Sequence, residues 1–219
     1  MITYQDLRKD PKINTYIESA DATMAAMGYT DHGRAHVTKS AETAAMILTA
    51  LGYDERTVEL AKIAGYLHDI GNLVNRVNHA ETGAIIAFRI LEELGMEPSE
   101  IATVVTAIGN HDEGTGIPVN AVSAALILAD KTDVRRSRVR NRDIASFDIH
   151  DRVNYSVEES RLSLSPDKSE IILRLTIDTA MSSVMDYFEI FLTRMVMSRK
   201  AAEKLGLRFR LIINEQSVL

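Results

Sequence analysis

The chain of 219 residues contains no cysteine and no tryptophan. Without cysteine there are no disulfides, no thiolate metal sites and no cysteine nucleophile, and a reducing, cytoplasmic setting is the expectation. Without tryptophan, and with aromatics at only 5%, base-stacking platforms are poorly supplied. Basic residues are also outnumbered: 25 Lys and Arg face 31 Asp and Glu, a formal net charge of -6. That balance argues against a nucleic-acid partner engaging the whole surface, while a local basic patch stays open. No apolar run is long enough to cross a bilayer, so no membrane partner is expected. The N-terminus, Met-Ile-Thr-Tyr-Gln-Asp, lacks the basic and apolar regions of a signal peptide. Neither a P-loop nor a GxGxxG is present, and no internal repeat is visible. What the chain has in quantity is hydrophobic residues, 46%, ample for a packed core.

Helical periodicity dominates the first two thirds. Residues 3–27 read as one or two helices broken near Pro11, with Ile13, Ile17, Ala20 and Met24 on one face. Asp31 is a candidate N-cap for a helix from Gly33 to Leu51, and Asp54 for the next. That second helix carries an apolar run, Val58 to Leu67, into His68-Asp69, where Gly71 would stop it. Further helices are expected from His79 to Leu94, from Pro98 to Asn110-His111, and from Ala121 to Asp130-Lys131. After Asp148 the pattern changes. Two strand-like runs flank Pro166-Asp167 as a hairpin, and a long helix follows with Met181, Val184, Met185, Phe188, Phe191, Leu192, Met195 and Val196 as its core face. Residues 208–214 alternate as a third strand. The expectation is a mainly α protein: a helical bundle over residues 1–147, and over 148–219 a small α+β appendage of three strands and one long helix. That appendage offers a surface for regulation or for a homodimer.

The chemistry gathers at helix ends. A neutral imidazole beside a carboxylate, as in His68-Asp69, is costly to bury unless something cationic satisfies both. The plain alternative is a helix C-cap with a charged tail. Of the six histidines, four lie at or near helix ends: His36, His68, His79 and His111. Asp69 and Asp130 occupy equivalent positions. Packed helices can bring such residues to one point, and a nitrogen and oxygen donor set without sulfur suits Mn, Fe, Mg, Co or Zn as one or two divalent ions.

This order of residues resembles the HD-domain metal-dependent phosphohydrolase superfamily over residues 33–140. Leu67-His-Asp-Ile-Gly71 is similar to the family's core signature. His79-Ala-Glu-Thr-Gly83 is similar to the segment of the HDIG and HD-GYP branches that supplies a second-metal histidine, and Ala129-Asp-Lys-Thr-Asp133 to the closing aspartate motif. His111-Asp-Glu-Gly-Thr-Gly-Ile-Pro118 is similar to the HD-GYP loop but has Asp112 for its second histidine and Ile117 for its tyrosine, a departure that speaks against cyclic-di-GMP hydrolysis. The arginines after Asp130 are similar to those of the ribonuclease Y-like branch. The resemblance implies an HD-type helical bundle and one metal held by His36, His68, Asp69 and Asp130. A second metal would share Asp69 and take His79 and His111, with Asp112 as a further candidate. It also implies cleavage of a phosphomonoester or phosphodiester, the nucleophile being a water acidified by the metals.

Other readings stay open beside these. His32 competes with His36, which is preferred because Ala41, Ala44 and Ala45 place it on the buried side of its helix. Asp112 is equally a ligand, a partner of a ligand or a loop cap. Glu113 is a candidate general base or a solvated acid, and His150 a structural or exposed residue. Lys131 and Arg135, nearest Asp130 in a basic run that otherwise reads as a solvated face, are candidate phosphate contacts and transition-state stabilisers. Arg34 is a third candidate for substrate binding. Gly114 and Gly116 suggest a mobile lip. The substrate expected is a small phosphorylated compound of the nucleotide type. The rival readings are a non-catalytic module that binds a nucleotide or a protein, and an RNA phosphodiesterase.

Overall fold

The computed structural model describes residues 1–218. Among the described residues, nine α-helices are arranged in chain order: α1 (Tyr4–Lys9), α2 (Pro11–Ala26), α3 (Arg34–Ala50), α4 (Glu55–Leu67), α5 (His79–Glu93), α6 (Pro98–Gly109), α7 (Ala121–Lys131), α8 (Ile149–Ser156) and α9 (Val184–Lys204). The strands are β1 (Val157–Leu164), β2 (Glu170–Ile177), β3 (Arg208–Ile213) and β4 (Gln216–Ser217). None of the helices is long and apolar enough to cross a membrane.

Helix starts follow local chemistry. Asp10 accepts from the Lys12 and Ile13 N–H groups, and Pro11 opens α2. Asp54 caps α4 through the Thr57 N–H. Asn120 and Ser123 form a reciprocal capping box on α7. The expected cap at Asp31 sits differently: Gly33 is the N-cap of α3, and Asp31 accepts the Gly33 N–H at 3.0 Å from the preceding turn.

α7 is the organising element. Every residue from Val122 to Lys131 is buried, as expected of a helix apolar on all sides. Val122, Ala125, Leu126 and Ala129 join one core cluster with α1–α6. Ala124, Ile127 and Leu128 join a second with the sheet and α9. One helix is thus the shared wall of both cores.

The sheet has four strands in the order β1-β2-β3-β4. β1 and β2 form the expected hairpin, and β2 and β3 run parallel across the α9 connection. A two-residue β4 pairs antiparallel with β3 and corrects the three-stranded expectation; it is too short to carry a period-2 pattern. α8 was also not expected. It is a short polar helix whose main signal is Asp148 accepting from the Asp151 N–H. The core face of α9 needs correction too. Met181 precedes the helix, while Met185, Leu192 and Val196 are exposed. The buried residues are Tyr187, Phe191, Met195, Met197, Ser198, Ala201 and Ala202, with Val184 and Phe188 packed against the same cluster. Val184, Phe188, Phe191 and Met195 of the expected face thus meet the core, and the other three turn to solvent.

Gly71 does not stop α4. The helix already ends at Leu67, and Gly71 lies in a 3-10 turn, Ile70–Leu73, pressed against α5. A Cβ there would stand 1.9 Å from the His79 carbonyl oxygen and 2.5 Å from the Gly83 nitrogen. Both are backbone atoms and cannot rotate aside. Gly71→Ala should therefore lower stability by about 1–3 kcal/mol, the usual cost of overpacking. Urea unfolding measures this, and an unchanged midpoint would show that the contact is not tight.

Candidate metal centre

Three helix C-terminal ends and two N-terminal ends meet at one point. α4 delivers His68 and Asp69, α6 delivers His111, and α7 delivers Asp130. His36 comes from the first turn of α3, and His79 is the first residue of α5. All six side chains are buried or nearly so.

Each imidazole is oriented from outside by an acceptor on Nδ1. His36 Nδ1 donates to Asp133 Oδ2 at 2.8 Å, and His68 Nδ1 to the Gly65 carbonyl at 2.8 Å. His79 Nδ1 donates to the Arg76 carbonyl at 3.0 Å, and His111 Nδ1 to the Ile108 carbonyl at 2.6 Å. A carbonyl or carboxylate only accepts, so Nδ1 carries the proton and Nε2 presents a lone pair inward.

The inward atoms crowd one another. His36 Nε2 lies 3.2 Å from Asp130 Oδ1 and 3.5 Å from Asp69 Oδ2. His68 Nε2 lies 3.3 Å from Asp69 Oδ2 and 3.7 Å from Asp130 Oδ1. On the other side of Asp69, His79 and His111 stand 3.6 and 3.8 Å from Oδ1, with their own Nε2 atoms 3.2 Å apart. His36 Nε2, His68 Nε2 and Asp69 Oδ2 are buried with no hydrogen bond among the described residues. Lone pairs facing lone pairs in a buried site call for a cation. Two donor groups are compact enough to share an ion: His36, His68 and Asp130, and His68, Asp69 and His111.

The electrostatics show how strongly the carboxylates favour positive charge between them, a demand met by a proton on His68 Nε2 or by a cation in its place. Burial alone would lower the His68 imidazolium, but the Asp69 and Asp130 carboxylates outweigh it and raise the group to about 10. Burial would raise Asp69 and Asp130, yet His68 beside the first and Lys131 beside the second hold both well below the carboxylate range. His79 is lowered to about 4 by burial and by His111 beside it.

The remaining candidates fall in several places. Lys131 is buried, 2.8 Å from Asp130 and 2.6 Å from Glu113. Glu113 also accepts from Arg194 Nε at 3.1 Å. Burial works against its charge, but Lys131 and Arg194 outweigh burial and lower Glu113 to about 2, so it is an ion-pair anchor and a poor base. Asp112 stands off, 3.9 Å from His79 Nε2, and accepts the Gly114 N–H at 3.1 Å. Arg135 is turned to the far side, where Nε and Nη2 clasp Asp133. Arg34 is half exposed and pairs with Glu18. His32 packs edge-on to His36 with its ring centroid 5.7 Å away. His150 is exposed. The loop after His111 is not an open lip: the Gly116 N–H donates to the Asp112 carbonyl at 2.8 Å, and a Cβ on Gly116 would strike the Asn110 and Asp112 carbonyls. The arginine run is largely occupied. Arg138 donates to the Asp31 and Asp133 carbonyls, Arg140 pairs with Asp21, and Arg136 lies over Tyr155.

Three residues escape a reading of the sequence. Asp133 lies inside the quoted Ala129–Asp133 motif but shows its role only when it meets His36. Arg76 donates to Asn72 Oδ1 at 3.4 Å and to His79 Nε2 at 3.3 Å. Arg194 arrives from α9, with no nearby signal at all.

The family model for the HD domain matches residues 34–153, more than half of the chain. The chain belongs to the HD domain family. The match covers every histidine and carboxylate of the centre and ends before the sheet and α9. Among related proteins, the HD chain is 28% identical to an uncharacterised protein of Methanocaldococcus jannaschii over 197 residues, 78% of this chain and 75% of that one. It is 31% identical to ribonuclease Y of Aliarcobacter butzleri over 122 residues, 54% of this chain but only 21% of that enzyme. The crystal structure of a predicted HD superfamily hydrolase from an uncultured Thermotogales bacterium superposes with a TM-score of 0.43 at 25% identity, covering 60% of this chain and 73% of that one.

Two outcomes follow from the charges around this HD centre. Asp133→Asn removes the charge that orients His36 and should weaken divalent-metal affinity about 10–100-fold with the fold retained, as read by chelator competition. The folded Glu113 value of about 2 lies below its ordinary 4.5, so its stabilising contribution is complete above 4.5 and is lost as pH falls through 2. The stability gap between the natural chain and Glu113→Gln should accordingly be flat above about pH 5 and close in acid; denaturant unfolding across pH tests this.

Proposed function

We propose that the chain is a metal-dependent phosphohydrolase acting on a phosphomonoester or phosphodiester of a small, nucleotide-like compound. The observation that carries this reading is the set of four Nε2 lone pairs turned onto Asp69 and Asp130 in a buried pocket. A binding module has no use for His36 Nε2, His68 Nε2 and Asp69 Oδ2 buried without a hydrogen bond among the described residues, whereas a divalent cation satisfies all three. His36, His68, Asp69 and Asp130 would hold one ion. A second would share Asp69, whose two oxygens face opposite histidine pairs, and take His79 and His111. Bound there, divalent ions supply positive charge for phosphate oxygens and acidify a coordinated water.

The protein's own residues supply the rest. Arg76, Lys131 and Arg194 line one small cavity with Asp69, His79 and Asp130. Its volume is about 10 Å³, room for little more than an ion or one water. Arg138 lines this cavity too but donates to the Asp31 and Asp133 carbonyls, which leaves Arg76, Lys131 and Arg194 to hold a phosphate and to stabilise charge as it builds on the transferred group. Glu113 holds Lys131 and Arg194 in that position. Asn72 donates to Asp69 Oδ1 at 3.1 Å and keeps the bridging carboxylate from rotating. No side-chain nucleophile is needed.

Asp69→Ala should lose bound metal and at least a thousandfold in phosphate release while keeping its helical content. Metal analysis of protein purified without added metals, followed by a panel of phosphate esters on the same sample, provides the measurement. Full hydrolysis by the variant would falsify the assignment.

A further inference from the structure

A second cavity opens beside the metal centre. It measures about 450 Å³ and lies between the turn at residues 27–30, α8 and α9. Small-molecule sites span roughly 300–1,000 Å³. His32, Arg76 and Arg194 line both this cavity and the small one at the centre. A molecule filling the larger space would therefore reach the ligand set at one end.

The character of its wall changes along its length. At the inner end stand two guanidinium groups, each over an aromatic ring of the same cavity. Arg76 lies 5.7 Å from the Tyr29 ring centroid, and Arg194 lies 4.7 Å from that of Phe191. Apart from Nε, the Arg194 guanidinium makes no hydrogen bond among the described residues. Away from the centre the wall is α8, with Asp148, His150, Asp151 and Asn154. Asp148 uses Oδ1 to cap its own helix, and Asp151 Oδ2 accepts from Asn141 at 3.3 Å. The second oxygen of each carboxylate has no hydrogen bond among the described residues. The cavity is thus cationic next to the candidate metal ligands, bordered by the exposed Tyr29 ring, and carries two free carboxylate oxygens beside His150 where it leaves them.

We propose that this cavity is the leaving-group pocket, and that it selects phosphoesters whose leaving group presents a flat ring and hydrogen-bond donors, as an amino-bearing nucleoside does. The phosphate would sit against Arg76, Arg194 and Lys131. The ring would lie along the exposed Tyr29, and the amino group would donate to Asp151 or Asp148. A uridine-type base, which lacks an amino group, fits the acidic end less well. Asp148 and Asp151 fall at the end of the residues matched by the HD family, while Tyr29 precedes that span and Arg194 follows it, so the pocket is completed by segments on both sides of the match. The chemistry of the proposal rests on the hydrolase reading; the pocket itself does not.

The test uses the full chain loaded with its metal. Guanosine, adenosine and uridine monophosphates, p-nitrophenyl phosphate and inorganic phosphate are compared by phosphate release and by calorimetric titration. The amino-bearing nucleotides should show kcat/KM and affinity at least tenfold above uridine monophosphate. Asp151→Ala should reduce the ratio of their kcat/KM to that of p-nitrophenyl phosphate at least tenfold, the scale of one hydrogen bond to a charged group. Metal content reports the integrity of the variant, and Asp151→Asn replaces it if alanine costs the fold. Tyr29→Ala should raise KM for the nucleotides with little change in kcat. Equal kcat/KM for nucleotides and the chromogenic ester, or a ratio unmoved by Asp151→Ala, overturns the pocket and leaves the hydrolase reading standing. Nucleotide binding that is lost in Asp151→Ala, with no phosphate released from any ester, keeps the pocket and overturns the hydrolase reading.

Discussion

Four outward hydrogen bonds from Nδ1 determine what this molecule can be. Because Asp133, Gly65, Arg76 and Ile108 take those protons, the four imidazoles share one tautomer and turn their lone pairs on Asp69 and Asp130. Any other tautomer would let the histidines satisfy the carboxylates directly, and the pocket would close on itself. Three of the four acceptors are backbone carbonyls within three residues of their histidine, supplied by helix ends and turns. The arrangement is therefore a consequence of where α4, α5 and α6 begin or stop. The convergence of three helix C-termini adds partial negative charge, which further favours a cation.

His36 is the exception, since its acceptor is a side chain. Asp133 is fully buried and is surrounded by Lys39, Arg135 and Arg138 as well as by His36. Burial would raise its carboxyl, but His36, Arg138 and Arg135 more than reverse this and keep it ionised. Two of the arginines that look like a basic strip in the linear chain thus serve an inward purpose. They neutralise the one carboxylate that orients a candidate ligand from behind, and Arg138 also borders the small cavity at the centre beside Arg76, Lys131 and Arg194.

The helical body was legible because its signals are local. Apolar spacing marks α4 and α7, the first with Asp54 as its cap, and His68-Asp69 and Asp130 stand at their ends. The motif order was enough to group His36, His79 and His111 with them. What escaped depends on distance in space. Asp133 is informative only when paired with α3, and Arg194 only when α9 is folded over α7. Arg135 and Glu113 were placed by proximity in the chain, but side chains two or three residues apart leave a helix end in different directions. The exposed Met185, Leu192 and Val196 show the same limit: a long amphipathic run declares a helix, whereas its rotation is set by the surface it meets. β4 is two residues long and leaves almost no trace in composition.

α7 belongs to both hydrophobic clusters and ends in Asp130 and Lys131. Occupancy of the metal centre and integrity of the β-sheet are therefore thermodynamically linked. An ion held by Asp130 would stiffen a wall that the sheet and α9 lean on. A nick in the hairpin at Pro166 loosens the same wall from the other side, far from any ligand atom. Chelation should be felt as faster amide exchange in β2 and β3, a distant report on whether the centre is filled.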